Sequence, residues 1–201
     1  MIKVSEIKGI HLAYDRLKPG DYGTAQPPYS FKMESDLKIA LEHCVDRLVV
    51  MGWANDIDTI LSAGAYVNKA GAHSRGIAID LDGVVLKNGT VLTAKSAPEA
   101  PYWRFAAMLA LEFGVVLHRM YNPQHADHFH VDLSRIVEWG GAKSQVQLIQ
   151  AILNSHFGYS LAVNGSLGFA TLGFWSTVIG EQITDASSAF LKILNMVVEH
   201  G

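Results

Sequence analysis

Cysteine is almost missing from this chain. Cys44 is the single one among 201 residues, which excludes an internal disulfide framework. It falls within a helical pattern, where a small buried apolar side chain is the expected role rather than a nucleophile. Charge is sparse as well. Charged residues make up 17% and the net charge is −3, too near neutral for a nucleic-acid-binding protein. No apolar run is long enough to span a bilayer. The opening MIKVSEIKGIHLAYDRLK has no apolar core of a secretory signal. The expectation is therefore a monomer made in the cytoplasm without a signal peptide, with neither membrane insertion nor nucleic acid among its partners. What is abundant is apolar side chain, 49% of the chain, enough for a packed interior and too much for disorder.

Residues 1–32 carry little periodicity and are punctuated by Gly20, Gly23, Pro27 and Pro28, so they read as mostly loop with a short strand. Met33 to Met51 predicts a helix, with Leu37, Leu41, Val45 and Leu48 on one stripe, Ser35 or Asp36 as its cap and Gly52 as its stop. Thr59 to Ser62 and Ile77 to Leu81 predict strands. Asp82-Gly83 predicts a turn, followed by a hairpin of Val84–Leu86 and Val91–Thr93 around Lys87-Asn88-Gly89. Pro101 predicts the opening of a second helix over 102–113. Val115–His118 and Phe129–Val131 predict further strands. The order is that of an α+β fold, helices packed on a small, mostly antiparallel sheet.

Gly140-Gly141-Ala142-Lys143 reads as a linker between a first domain, 1–139, and a helical unit, 143–201. In that unit Val146, Ile149, Ile152 and Leu153 recur at helical spacing. Thr171 starts a short helix, and Thr184 or Asp185 caps a last one with Phe190, Leu194 and Val197 on its apolar face.

Two short stretches concentrate metal-binding chemistry. The first is Ala72-His73-Ser74-Arg75-Gly76-Ile77-Ala78-Ile79-Asp80, the second Asp127-His128-Phe129-His130. Gly76 and the β-branched residues argue against a helix between His73 and Asp80. A turn at Ser74–Gly76 brings His73 back beside the far end of a strand, where Ala78 and Asp80 share a face. An Asp inside so apolar a strand needs a compensating partner. His128 and His130 share the other strand's face, so one can ligate while the other stays close. His125, Asp127, His128, His130 and Asp132 fall within eight residues of a chain that has nine histidines. With no cysteine near, the set suits a catalytic zinc with three protein ligands and an open position. Asp127 can approach that position only if the strand begins after it, with a bend at Ala126-Asp127.

These residues resemble a known pattern. Gly64-Ala65-Tyr66, His73 through Gly83, Tyr121-Asn122 and His125 through Asp132 are similar to the extensin-like C-terminal domain, over about residues 33–135. That family is grouped with the D-alanyl-D-alanine carboxypeptidases and L-alanyl-D-glutamate endopeptidases, zinc peptidases of peptidoglycan stem peptides. The resemblance implies one Zn²⁺ on His73, Asp80 and His130, with Asp127 as general base and His128 orienting that base or stabilising the oxyanion. It departs at Gly71, where the family usually has Ser, and at Lys69, which stands for an upstream Arg that helps hold substrate.

The tail also resembles a family, the three-helix peptidoglycan-binding domain, in Val146–Gln150, Leu153-Asn154, Gly158-Tyr159, Val163–Gly165 and Gly168–Thr171. Asn164 and Phe169 stand where that family usually has Asp and Pro. Together the resemblances imply a zinc peptidase with peptidoglycan as its partner. The expectation is a phage or prophage endolysin that reaches the wall through a separately made pore. The alternatives are a secreted antibacterial effector and a non-catalytic wall-binding protein with a vestigial zinc site. Which peptide bond is cut, by carboxypeptidase or endopeptidase action, stays open.

Overall fold

The apolar stripe at its expected place forms helix α1 (Ser35–Val50), which buries Leu37, Ala40, Leu41, Cys44, Val45 and Leu48. Cys44 is enclosed, and burial pushes its thiol well up, so it packs as an apolar side chain. The structure is a computed structural model that describes residues 1–68 and 70–200.

The remaining elements run β1 (Ile2–Val4), β2 (Glu6–Ile7), β3 (Ile10–Tyr14), β4 (Phe31–Met33), then α1, β5 (Ile57–Gly64), β6 (Ala78–Leu86), β7 (Val91–Thr93), α2 (Glu99–Ala110), β8 (Val115–Leu117), β9 (Phe129–Asp132), α3 (Lys143–Phe157), α4 (Phe169–Ile179) and α5 (Ala186–His200). Strands β1 and β4 pair by themselves. The main sheet has the order β2-β3-β5-β6-β9-β8, with β7 also paired to β6. It is antiparallel except where β3 lies parallel to β5. The α+β class and the mostly antiparallel sheet are as expected.

Three local expectations are corrected. Residues 1–32 are mostly loop, as expected, but hold more than one short strand. They hold three strands and the approach to a fourth, and β3 enters the main sheet beside β5. These strands have two to five residues, too short for periodicity to stand out. Asp82-Gly83 is not a turn, because β6 runs through it. Pairing steps from Leu61 opposite Gly83 to Ser62 opposite Leu81, which leaves Asp82 as a bulge residue aimed away from the ladder. A Cβ on Gly83 would stand 2.3 Å from the Leu92 carbonyl oxygen, so this glycine serves close strand approach. Finally, α2 starts at Glu99, before Pro101. A proline within the first turn forfeits no intrahelical bond, since the N–H groups there have no partner.

One apolar core joins α1, the helix-facing side of the sheet and all three C-terminal helices. Arg104 of α2 donates to the Val197 and Val198 carbonyls, so its guanidinium closes off the last turn of α5. The start of α3 holds the stretch after β8. The buried His118 ring donates from Nε2 to the Ser144 carbonyl at 2.9 Å, Gln147 donates to the Met120 carbonyl at 2.7 Å, and Lys143 donates to the Tyr121 carbonyl at 3.1 Å. Within the helical unit, Gln150 donates to the Ser166 carbonyl and accepts from the Gly165 N–H, while Asn154 bonds both backbone groups of Leu161. The polar motif residues of the tail therefore staple the loop between α3 and α4. Asp185 rather than Thr184 caps α5, accepting from the Ser187 N–H.

Candidate metal centre

Strand register builds the centre. Asp80 of β6 stands directly opposite His130 of β9, and Ala78 opposite Asp132. Because side chains alternate, Asp80 and His130 face away from the helices while their neighbours Ile79, Leu81, Phe129 and Val131 fill the core. His73 arrives by the expected turn. Residues 73–75 form a single 3₁₀ turn that ends at Gly76 with φ 71°, a left-handed conformation that glycine adopts at no steric cost. A Cβ there would also stand 3.0 Å from the Met1 side chain.

Three ligand atoms converge. His73 Nε2 lies 3.2 Å from His130 Nδ1 and 3.3 Å from Asp80 Oδ1, and His130 Nδ1 lies 2.9 Å from Asp80 Oδ1. Tetrahedral zinc with bonds of about 2.0–2.1 Å sets neighbouring ligand atoms roughly 3.3 Å apart. The triangle is therefore close to one face of such a tetrahedron, and among the described residues these three form the group able to hold a metal ion. The rings are turned to suit. His73 Nδ1 donates to the Ala65 carbonyl, and His130 Nε2 donates to Asp132 Oδ2 at 3.1 Å. Each bond leaves the other nitrogen free for an ion, in the way that outer hydrogen bonds select the ligating atom of a histidine. Asp132 is itself buried and accepts from the N–H and hydroxyl of Ser134. Burial alone would raise Asp80, yet the His130 and His73 rings hold its carboxyl well below the usual carboxylate range. Burial works to lower His130, and the Asp132 and Asp80 carboxylates overcome it, raising the ring to about 9.

The expected bend is present at Ala126 and Asp127, after a 3₁₀ turn at Pro123–His125 capped by the Asn122 side chain, and β9 starts at Phe129. His128 Nε2 stands 3.9 Å from Asp80 Oδ1, beside the ligand triangle. Its Nδ1 donates to Asp127 Oδ1 at 2.9 Å. Asp127 Oδ2 accepts from Arg16 at 3.2 Å, and the Asp127 carbonyl accepts from the Tyr22 hydroxyl at 2.7 Å. Burial works to raise Asp127, but His128 and Arg16 hold it below its ordinary value. Asp127 thus joins the site through His128, and its ion pairs among the described residues are with Arg16 and His128. Lys69, the expected substrate-holding residue, lies outside the described residues.

Arg16, Asp82 and Asp132 escaped the expectation of site roles. Arg16 makes two bonds to Asp82, from Nε at 2.8 Å and from Nη2. Burial and the neighbouring Asp15 carboxyl work to raise Asp82, and the two bonds from the Arg16 guanidinium oppose them and favour the carboxylate. No local pattern marks Arg16, because β3 before it has only five residues and is placed by its pairing with the distant β5.

A family model described as the extensin-like protein C-terminus matches residues 58–142, less than half of the chain. No curated protein and no solved structure matches it. The matched stretch contains His73, Asp80, Asp127, His128, His130 and Asp132, and it leaves out Asp15, Arg16 and Tyr22. Residues 58–142, which carry the whole ligand triangle, are thus similar to the C-terminal domain of extensin-like proteins.

Proposed function

We propose that this chain is a zinc-dependent peptidase acting on the stem peptides or cross-links of peptidoglycan. The observation that carries the reading is the ligand triangle with His128 Nε2 beside it. Two imidazoles and one carboxylate are the donor set of hydrolytic zinc. The substrate class is inferred from the motifs, which resemble those of the peptidoglycan peptidases with which the extensin-like domain is grouped.

His73, Asp80 and His130 would hold the ion. Bound there, zinc supplies Lewis acidity that polarises a peptide carbonyl and brings the pKa of a water toward neutrality. The protein does the rest. His128 offers Nε2 to the attacking water, because its Nδ1–H is committed to Asp127. The ring accepts the water's proton and later gives it to the leaving amine. Asp127 keeps the ring in that tautomer and stabilises it while charged. This divides the work differently from the expectation, in which Asp127 is the base and His128 its support.

Phe169 is 96% exposed and Leu167 is exposed beside it. An aromatic face so open to solvent suits stacking on a sugar, which supports a wall-binding role for residues 143–201.

The test is digestion of purified sacculi by the zinc-loaded protein, with new amino groups counted and fragments identified by mass. Release of stem-peptide fragments that stops on chelation is expected, and the masses name the bond. A zinc-loaded protein that sediments with sacculi and frees no amino groups overturns the proposal in favour of a non-catalytic binding module. Gene neighbours separate an endolysin from a secreted effector: a small pore-forming membrane protein marks the first, an immunity partner the second.

A further inference from the structure

We infer that Arg16 is a positioning residue, which ties the Asp127 carboxylate to the buried Asp82 carboxylate and thereby fixes the Asp127–His128 pair relative to β6. The inference rests on the roles proposed above for Asp127 and His128.

The backbone path makes this possible. Parallel pairing of β3 with β5 sets Tyr14 opposite Ser62, so Asp15 and Arg16 leave the sheet at the end where Asp80 and Asp82 lie. Arg16 then spends its three nitrogens on two carboxylates, Nε and Nη2 on Asp82 and Nη1 on Asp127. Its guanidinium also lies 4.9 Å from the Tyr22 ring centre, and Tyr22 donates to the Asp127 carbonyl. The following turn is anchored by the buried Asp15, which accepts from the Gly23 N–H at 3.0 Å. Residues 15–23 therefore grip Asp127 at both its side chain and its backbone.

The anchor is rigid. Asp82 is fully buried and sits two residues beyond the ligand Asp80 on the same strand. A guanidinium that links Asp82 to Asp127 references the His128 ring to the strand that carries a metal ligand. Only the planar fork of arginine can make a two-bond contact with one carboxylate and still reach a second. A displacement of about 1 Å in such a constellation costs about a hundredfold in rate. Arg16 and Tyr22 both lie outside the stretch similar to the extensin-like domain, so the brace is made by residues that the family match does not cover.

The test uses the full chain with Arg16→Lys and Arg16→Ala, the latter with and without added guanidinium. In the metal-free protein, ¹⁵N spectra of the histidine rings are expected to show His128 as the Nδ1–H tautomer. Arg16→Ala should mix the tautomers, and guanidinium should restore the single one. In the zinc-loaded protein, kcat on peptidoglycan fragments is expected to fall about a hundredfold, with KM within twofold and one zinc per chain retained. Lysine should rescue neither signal, although it keeps the charge that neutralises Asp82. Parent-like ring spectra and kcat in Arg16→Lys would show that only the charge matters and would overturn the inference. Should Arg16→Ala not fold, Arg16→Lys alone decides. A parent that hydrolyses nothing overturns the proposed function, while the ring spectra still decide the role of Arg16.

Discussion

His130 points one ring nitrogen at Asp80 and the other at Asp132, at 2.9 Å and 3.1 Å. The buried Asp132 carboxylate therefore selects which nitrogen is left for a metal and makes it a stronger donor. Asp132→Asn keeps the shape and removes the charge. Zinc affinity is expected to drop tenfold to a hundredfold, read by competition with a chromogenic chelator, with the circular dichroism spectrum unchanged. Parent-like affinity would mean that Asp132 is only a structural partner of Ser134.

The order of effects at Asp127 and His128 separates two mechanisms. With His128 as the proton acceptor, His128→Ala is expected to lower kcat by 10²–10⁴, and Asp127→Asn by less. The double variant should be little worse than His128→Ala, since the two side chains act as one unit. Zinc content should stay at one per chain in all three. Were Asp127 itself the base, Asp127→Asn would be the more damaging substitution, and steady-state kinetics on a defined peptide would show it.

His118 makes stability depend on acid. Burial against Trp103 and under α3 lowers the ring to about 4, from an ordinary value of 6.5. A histidine depressed in the folded state stabilises the fold above its unfolded value and loses that contribution as pH falls through the folded one. The window is thus pH 6.5 down to about 4, and the loss about 3 kcal/mol. Urea unfolding at pH 7 and pH 4.5 measures it. His125 and His156 are also held low by burial, so the comparison is with His118→Gln, in which the acid-sensitive part due to His118 should vanish. An equal acid loss in that variant would refute the assignment.

Removing the C-terminal helices should cost more than wall binding. Leu148, Ile149, Ile152, Phe190 and Leu194 are fully buried in the shared core, at about 1.5–3 kcal/mol each. Their sum is comparable to the whole stability of a typical domain. A fragment ending at residue 142 is expected to be unfolded or aggregated, and inactive even on small soluble peptides. A fragment with a cooperative thermal transition and parent-like turnover on such peptides would instead mark residues 143–201 as a separable wall-binding module.

How much of this could be read in advance varied with the length of the signal. Helix α1 was legible because four apolar residues recur on one stripe over sixteen positions. The convergence of His73, Asp80 and His130 into a group that could hold a metal ion was legible because two dense motifs of coordinating side chains bracket a glycine turn and two apolar strands. Asp82 misled. Asp-Gly marks a turn wherever the backbone is free to reverse, but β6 is held straight on by β9 and β7, and Arg16 offsets the charge. Arg16 was illegible because its place depends on a parallel strand pairing between distant segments. The role of Asp132 was hidden for another reason: a carboxylate two residues after a ligand looks like any other member of an acidic and histidine-rich cluster until a ring nitrogen is seen pointing at it.

The facing of Asp80 and His130 across β6 and β9 also sets where the gene can bear length changes. Losing or gaining one codon between Gly76 and Asp80, or between His128 and Asp132, would rotate an aliphatic residue into the ion's position and send a ligand into the oily interior. The same change at the exposed Lys87–Thr90 tip disturbs the turn's own bonds and the one from the Lys87 N–H to the Asp56 carbonyl, and leaves the pairing of Asp80 with His130 in register. Insertion libraries of this protein should therefore come back with a sharp border inside a single β-strand, permissive at one end and silent at the other.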